Sequence, residues 1–169
     1  SLLDLPAPET IVSGTLAEAE TEYLGKPSEA RCKLAFFELG NTTIELIEPD
    51  EHQSCWRDFL DRNGPGCHHI AFKVGGMKRK IATFEKGGHP LLQKGEFEGG
   101  RYAYVDTEPQ LGILVEFDLA PNRGGVATGR HPAESAGVAD QYRPVGALGT
   151  HHRRQRLGID VMAVGDERC

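Results

Sequence analysis

The sequence has few aromatic residues, a shortage of positive charge and no long apolar run. Aromatic residues make up 7% of the 169 residues, with a single tryptophan, so a base-stacking surface is not expected. The formal net charge of −6 gives no long-range attraction for phosphate backbones, and we expect no nucleic-acid partner. No window approaches the roughly eighteen consecutive apolar residues of a membrane-spanning helix, so no membrane partner is expected.

The cysteines lack the spacing of a metal or redox motif. Four are present, at Cys32, Cys55, Cys67 and Cys169, and no two of them form a CxxC pair. A thiolate zinc site or a thioredoxin-like motif is therefore unsupported. No basic-then-apolar leader opens the chain. We expect free thiols and a cytoplasmic protein.

The composition changes near residue 120. The 21 glycines and 10 prolines are too many for a helical bundle. Up to residue 119, apolar runs recur at the spacing of strands, whereas 120–156 is rich in Gly, Pro, Ala and charge with little periodicity. The stretch 156–164 is apolar again. We predict one domain over 1–119 and a tail over 120–169 that can end in a strand.

Strands dominate the predicted domain. Two apolar runs, 30–40 and 41–49, meet at Gly40-Asn41, which is typical of a hairpin. A helix is predicted over 54–64, because apolar residues there recur at helical spacing between a capping serine and a glycine. Residues 67–119 predict strand, helix, strand, strand, strand, and residues 9–47 resemble the last three strands of that unit.

Three polar residues lie in these otherwise apolar strands, namely Glu45, His69 and Glu116. Because strand side chains alternate between faces, Glu116 would point away from Val115 and Phe117. If those two residues pack against helices, Glu116 faces the inside of the curved sheet. Two carboxylates and one imidazole that converge there make a plausible divalent-metal site. Taken singly, each residue also fits an ordinary solvent-facing or hydrogen-bonded side chain, so spacing alone leaves the role open.

Four segments resemble one known superfamily, namely KLAFFELGNTTIELIEP, GPGCHHIAFKVGGM, GRYAYVDT and GILVEF, in this order within residues 9–119. They are similar to the vicinal oxygen chelate superfamily, which includes glyoxalases, bleomycin resistance proteins and dioxygenases. The likeness is greatest to methylmalonyl-CoA epimerase-like and lactoylglutathione lyase-like proteins. The resemblance implies an α+β fold of paired βαβββ modules that form a half-open curled sheet around one divalent ion. Module one would cover 1–49, the linking helix 54–64 and module two 67–119, with module one incomplete at its N-terminal strand.

The resemblance also implies a ligand set. The family takes metal ligands from the first and fourth strands of each module. The matching positions here are Glu45 in TIELI, His69 in HHIAF and Glu116 in LVEF. His68 would lie on the opposite face and support the site by packing or through His69. The metal would be Co, Ni, Zn, Mn or Mg.

The first strand of module one has no counterpart at the start of this sequence. The stretch 156–164 could fill the vacant place from the C-terminal side. The ligand position would then fall near Arg156, with His151 and His152 just upstream. An unfilled edge, a strand exchanged in a homodimer and a truncated chain remain open as alternatives.

The function implied by the resemblance is a divalent-metal-dependent isomerase or lyase that transfers a proton next to a carbonyl, as an epimerase or a glyoxalase does. Glu116 would be both ligand and catalytic base. The epimerase pattern places a second acid/base in the strand 30–39, where this chain offers Lys33 or Leu34, so two-base epimerisation is in doubt. The substrate would be a small molecule, such as an acyl-CoA or glutathione thioester, and Arg101 and Tyr102 are candidates to contact it if it is anionic. A metal-free small-molecule-binding protein and an inactive truncated member are the alternatives.

Overall fold

The computed structural model describes residues 6–119 together with the backbone of a strand at 160–164. Helices and strands alternate along the chain. The strands are β1 (Thr10–Val12), β2 (Glu22–Tyr23), β3 (Lys26–Pro27), β4 (Cys32–Glu38), β5 (Thr43–Pro49), β6 (Gly66–Lys73), β7 (Leu91–Phe97), β8 (Gly100–Val105), β9 (Leu114–Leu119) and β10 (Asp160–Val164). The helices are α1 (Leu16–Ala19), α2 (Cys55–Asn63), α3 (Met77–Lys86) and α4 (Glu108–Leu111).

The chain divides into two units. One consists of Ser1–Pro121 with Leu157–Cys169, and the other is Asn122–Arg156, which lies outside the described residues. The strand β10 therefore belongs to the same unit as the strands that precede residue 120. Among the described residues, no helix has both the length and the apolar character needed to cross a membrane.

The strands form one curled, unclosed sheet in the order β1-β4-β5-β10-β6-β9-β8-β7-β2-β3. Module two is β6-α3-β7-β8-β9, in which the first strand pairs in parallel with the last. Module one contributes β1, β4 and β5, and β10 pairs in parallel with β5 as β6 does with β9. The predicted α+β fold of paired modules, with module one lacking its N-terminal strand, is confirmed.

The strand β10 occupies the vacant place in module one. It runs parallel to β5 on one side and antiparallel to β6 on the other, and so it joins the two modules. Of the arrangements that the sequence leaves open, the structure has the one in which the C-terminal stretch supplies the strand. The edge of β5 is thereby paired within the same chain, which removes the liability of an open strand edge.

The register of β10 corrects the expected position of the ligand in the first strand of module one. In module two, Ala71 pairs with Glu116, and His69 lies two residues earlier in β6. In module one, Met162 pairs with Glu45, so the position equivalent to His69 is Asp160.

The ligand position that the sequence analysis puts near Arg156 was therefore wrong by four residues. The apolar stretch alone does not fix the register, which is set by pairing with two neighbouring strands at once. The residues Arg156, His151 and His152 lie outside the described residues.

Two helices cover different parts of the sheet. The helix α2 begins after Ser54, whose side chain accepts a hydrogen bond of 3.1 Å from the amide of Arg57, and it ends at Gly64. Its buried face packs in a cluster that includes Tyr104. The helix α3 belongs to a second cluster, which contains Met77, Val115 and Phe117. Because Val115 and Phe117 pack with α3, the residue between them faces the other side of the sheet.

Candidate metal centre and cleft

The three residues singled out from the sequence meet on the concave side of the sheet. Glu45 comes from β5, His69 from β6 and Glu116 from β9. Each offers one ligand atom, and these atoms all lie within 4.8 Å of one another. Nε2 of His69 is 2.8 Å from Oε2 of Glu116 and 4.0 Å from Oε2 of Glu45. The exposed fractions are 6% for Glu45, 0% for His69 and 4% for Glu116.

The placement follows from strand pairing and sheet curvature. Glu45 and His69 both pair with Met162 of β10, so their strands are two strand spacings apart, about 10 Å. Because the sheet curls, side chains on its concave face converge across that gap. Glu116 lies on β9, directly beside β6. Residues far apart in sequence thus reach one point.

The chemistry of this donor set fits a divalent cation. One imidazole nitrogen and two carboxylates suit Zn, Co, Ni or Mn. Two buried carboxylates close together would be costly without a positive charge between them. Their field reaches neighbouring groups: burial raises the pKa of Tyr104 well above its ordinary value, and the charges of Glu116 and Glu45 raise it further. The residues Glu45, His69 and Glu116 therefore could hold a metal ion.

His68 supports His69 rather than joining the three ligand atoms. Its Nδ1 lies 2.8 Å from Nδ1 of His69, and its ring packs against those of Phe59 and Tyr104. Burial, the largest cause, and the adjacent His69 together lower the pKa of His68 to about 3, against a hydrogen bond with the backbone of Cys55 that raises it. A neutral His68 can accept a hydrogen bond from Nδ1–H of His69. In that tautomer the lone pair of Nε2 of His69 would point toward the carboxylates, the nearest of which, on Glu116, is 2.8 Å away.

A second cluster lies outside the predictions. Asp50, Glu51 and His52 also bring ligand atoms within 4.8 Å of one another, in the turn before α2. His52 is paired with Asp50 at 3.0 Å, and the hydrogen bond to Asp50 raises the pKa of the imidazole. The run PDEH is the only sequence sign of this cluster. Its residues are intermediate or exposed, and such a turn needs no ion to be stable.

A cleft of about 1010 Å³ leads to the three buried residues. Its lining includes Phe36 of β4, Phe97 of β7, and Trp56 and Tyr104 deeper inside. Phe36 and Phe97 are not among the site residues predicted from the sequence, since an aromatic residue in a strand does not by itself indicate whether it packs in a core or lines a site. The size is at the upper end for small-molecule sites.

Four residues named as secondary candidates have definite places. Lys33 forms an ion pair of 2.7 Å with Glu48, whereas Leu34 lines the cleft. Of these two residues, the one that lines the cleft is apolar. Arg101 pairs with Glu96 at 3.0 Å, and Tyr102 lines the cleft with its hydroxyl accepting a hydrogen bond of 3.4 Å from Gln93.

The sequence model of the Glyoxalase/Bleomycin resistance protein/Dioxygenase superfamily matches residues 12–105 of the chain. The chain belongs to this superfamily. The match runs from the end of β1 to the end of β8 and includes Glu45 and His69. The resemblance predicted from the four sequence segments is confirmed.

Three proteins to which the chain is similar share between 18% and 30% identity with it. The uncharacterized protein YqjC of Bacillus subtilis (strain 168) is 30% identical over 91 residues, which are 52% of this chain. The chain covers 65% of that relative's length, slightly less than two thirds. The crystal structure of a hypothetical protein, BH1468 of Bacillus halodurans C-125, shares 27% identity with a TM-score of 0.45 and covers 56% of this chain and 71% of that one. A methylmalonyl-CoA epimerase in complex with methylmalonyl-CoA and NH4+ shares 18% identity with a TM-score of 0.41, covering 70% and 97%.

Proposed function

We propose that this superfamily member is a divalent-metal-dependent isomerase or lyase that moves a proton next to the carbonyl of a small molecule. The observation that carries the proposal is the meeting of Glu45, His69 and Glu116, with ligand atoms within 4.8 Å, at the inner end of a cleft. Superfamily membership supports a small-molecule ligand at this site.

Each residue has a distinct proposed role. Glu45, His69 and Glu116 would hold the ion, which when bound supplies a positive charge that stabilises an enolate oxygen. Glu116 would take the proton from the carbon next to the carbonyl and return it. His68 would keep the ring of His69 in one orientation through the Nδ1 contact of 2.8 Å. The buried walls around Tyr104 would exclude water from the reacting atoms.

The register of β10 is the one argument for Asp160 as a further ligand. It occupies in β10 the position that His69 occupies in β6, so the two modules would contribute Glu45 with Asp160 and Glu116 with His69. A carboxylate is a suitable ligand for the same ions. The proposed centre would then have ligands from four strands.

Metal titration of the purified chain tests the first part of the proposal. Calorimetric titration with Mn, Co, Ni and Zn should show one site per chain. Glu45→Gln and Glu116→Gln should each weaken binding by at least the roughly 10–100-fold that loss of a supporting group causes. Glu85→Gln, an exposed carboxylate on α3, is the matched control. A chain that binds no ion, or variants that bind as tightly as the control, would contradict a metal centre here.

Proton exchange in deuterated water tests the chemistry. The metal-loaded chain should exchange the proton next to the carbonyl in at least one member of a panel of α-carbonyl compounds, followed by NMR. Glu116→Gln should abolish the exchange, because an amide cannot take the proton. Exchange that continues at the original rate in Glu116→Gln would exclude Glu116 as the base.

The second candidate function is a metal-free binding protein. The exposed aromatic residues of the cleft favour ligand binding by themselves, with or without an ion. Under this alternative, the chain binds a small molecule in a one-to-one complex and turns nothing over. Because β10 occupies the vacant place, the missing first strand no longer argues by itself for an inactive member.

A further inference from the structure

The cleft collects exposed apolar side chains. Among the described residues, half of the large hydrophobic side chains that are exposed line this one cleft, namely Ile11, Val12, Phe36 and Phe97, with exposed fractions of 47%, 58%, 39% and 47%. Apolar side chains gathered in a concave surface usually mark a binding site rather than chance exposure. The ligand should therefore have an apolar body.

The same lining is strongly acidic. Besides Glu45 and Glu116, five carboxylates line the cleft, namely Glu18, Glu38, Glu96, Glu98 and Asp118, against two cations, Arg31 and Lys73. Nε of Arg31 already donates a hydrogen bond of 3.0 Å to the carbonyl oxygen of Ser13. A divalent ion would offset Glu45 and Glu116 only. Arg101, which is not part of the lining, pairs with Glu96 at 3.0 Å. The five remaining carboxylates still outnumber these three cations, so the lining keeps an excess of negative charge that attracts cations and repels anions.

Aromatic and acidic residues are neighbours at two places in the lining of the cleft. On β4, Phe36 and Glu38 are two residues apart and therefore share a face. At the turn between β7 and β8, Phe97 lies between Glu96 and Glu98. An aromatic ring beside a carboxylate is a favourable environment for an organic cation, since the ring face and the carboxylate both attract positive charge.

From this pattern we infer that the cleft takes a small molecule with an apolar body and a positively charged end, and does not take a phosphate-bearing thioester. The inference rests on the proposed function only in treating this cleft as the substrate site. The metal centre would face the polar end with the carbonyl, and the acidic walls would face the cation. Coenzyme A carries several phosphate charges, which these walls would repel, so an acyl-CoA is disfavoured as substrate.

Paired probes test the charge preference. The sequence has one tryptophan, Trp56, and it lines the cleft, so its fluorescence can report binding; equilibrium dialysis gives the same constants independently. The probes are 3-phenylpropyltrimethylammonium, 3-phenylpropane-1-sulfonate and coenzyme A, each with the metal-free and the metal-loaded chain. At low salt the ammonium probe should bind at least about tenfold more tightly than the sulfonate, and the ratio should fall with added salt.

Matched variants locate the preference in the cleft. The triple variant Glu38→Gln, Glu96→Gln, Glu98→Gln should remove most of the preference for the ammonium probe. The control triple Glu29→Gln, Glu51→Gln, Glu85→Gln changes the net charge equally at exposed positions outside the cleft and should keep the preference. Phe36→Ala should weaken the binding of both phenyl probes.

Three outcomes would overturn the inference: equal or tighter binding of the sulfonate, tighter binding of coenzyme A, or an equal loss of preference in both triple variants. The measurement on the metal-free chain does not depend on an ion. Failure of the metal-centre proposal therefore leaves this test intact, and a metal titration that succeeds does not rescue the charge preference.

Discussion

The two modules share one strand arrangement and differ in what covers it. In module one, Phe36 pairs with Glu45; in module two, Tyr104 pairs with Glu116. Phe36 is 39% exposed and Tyr104 is 2% exposed. Tyr104 is covered by Trp56, whose Nε1 donates a hydrogen bond of 3.1 Å to the tyrosine hydroxyl. Equivalent positions in the sheet thus serve as an open wall in one half and as packed interior in the other.

The modules also differ in how the chain builds them. The strands of module two follow one another between β6 and β9. Module one combines strands from both ends of the chain, because β10 pairs with β5. The residues of the proposed metal centre come from both halves, so the site depends on pairing between strands that lie far apart in the sequence.

Of the changes that test the comparison of the two modules, removal of β10 should have the largest effect, a loss of stability. A chain that ends at Leu119 loses both ladders that join the halves, to β5 and to β6. At about 1 kcal/mol for each hydrogen bond, the loss is several kcal/mol, a large share of the usual free energy of unfolding. Thermal unfolding followed by circular dichroism should show no cooperative transition, or size-exclusion chromatography should show an associated form. A chain that ends at Val164 is the control. Monomeric short chains with the full-length melting temperature would mean that β10 does not hold the halves together.

Truncation of the two equivalent aromatic residues should separate the packed half from the open one. Tyr104→Ala should lower the free energy of unfolding by about 3–5 kcal/mol, because it leaves a cavity in the core. Phe36→Ala should lower it by less than about 1 kcal/mol, since the ring is partly in solvent. Tyr104→Phe should cost about 1–3 kcal/mol by leaving the indole N–H of Trp56 without its acceptor. Urea denaturation measures all three, and equal losses for the two alanine variants would contradict the asymmetry.

Asp160→Asn tests whether the modules contribute equivalent ligands. The register predicts a loss of metal affinity of about tenfold, or about 1.4 kcal/mol. Calorimetric titration measures it, with Glu85→Gln as the control. If Glu45→Gln weakens metal binding and Asp160→Asn does not, the centre has three protein ligands. The two modules would then share their strand arrangement but not their ligand positions.

The smallest expected difference between parts of the structure is in the reactivity of the cysteine thiols. Cys32 in β4 and Cys55 in α2 are buried, whereas Cys67 in β6 is exposed. Burial raises the pKa of the Cys32 thiol to about 12, with a hydrogen bond to Ser13 opposing the rise, and burial raises the pKa of Cys55 well above its ordinary value. At pH 8 neither is appreciably ionised, so iodoacetamide should label Cys67 and spare Cys32 and Cys55 until the chain unfolds. The fourth cysteine, Cys169, lies outside the described residues. Peptide mapping by mass spectrometry checks this. Rapid labelling of Cys32 alone would show that the module-one interior is open.

Features that follow from the alternation of side chains within one strand can be predicted from the sequence. Features that depend on pairing between strands far apart in the sequence cannot. The position of Glu116 on the inner face follows from the two-residue period of β9, with Val115 and Phe117 packed behind it. The register of β10 depends on two ladders and an irregularity between Met162 and Ala163, and no local pattern encodes these. The exposure of Phe36 could not be predicted either, because the sequence of a strand does not show whether an apolar residue lines an open cleft or packs in a core.

Smaller elements were missed for a related reason. Residues 15–30 predict a loop or ragged helix, whereas the structure has α1, β2 and β3 there. These elements have two to four residues each, too few for a period to be recognised. The apolar run 111–119 predicts a strand over its whole length, whereas the observed strand begins at Leu114, because α4 precedes it and Gly112 turns the chain with a φ of 73°.

The late position of β10 in the chain also sets an order for biosynthesis. A ribosome releases β5 and β6 long before it reaches Asp160, so a nascent chain carries Glu45 and His69 on strands whose shared neighbour has not been made. Pairings across such sequence distances form slowly. Metal added during cell-free translation should therefore be retained only after β10 has emerged from the ribosome. Ions supplied earlier should not bind stably to the growing polypeptide.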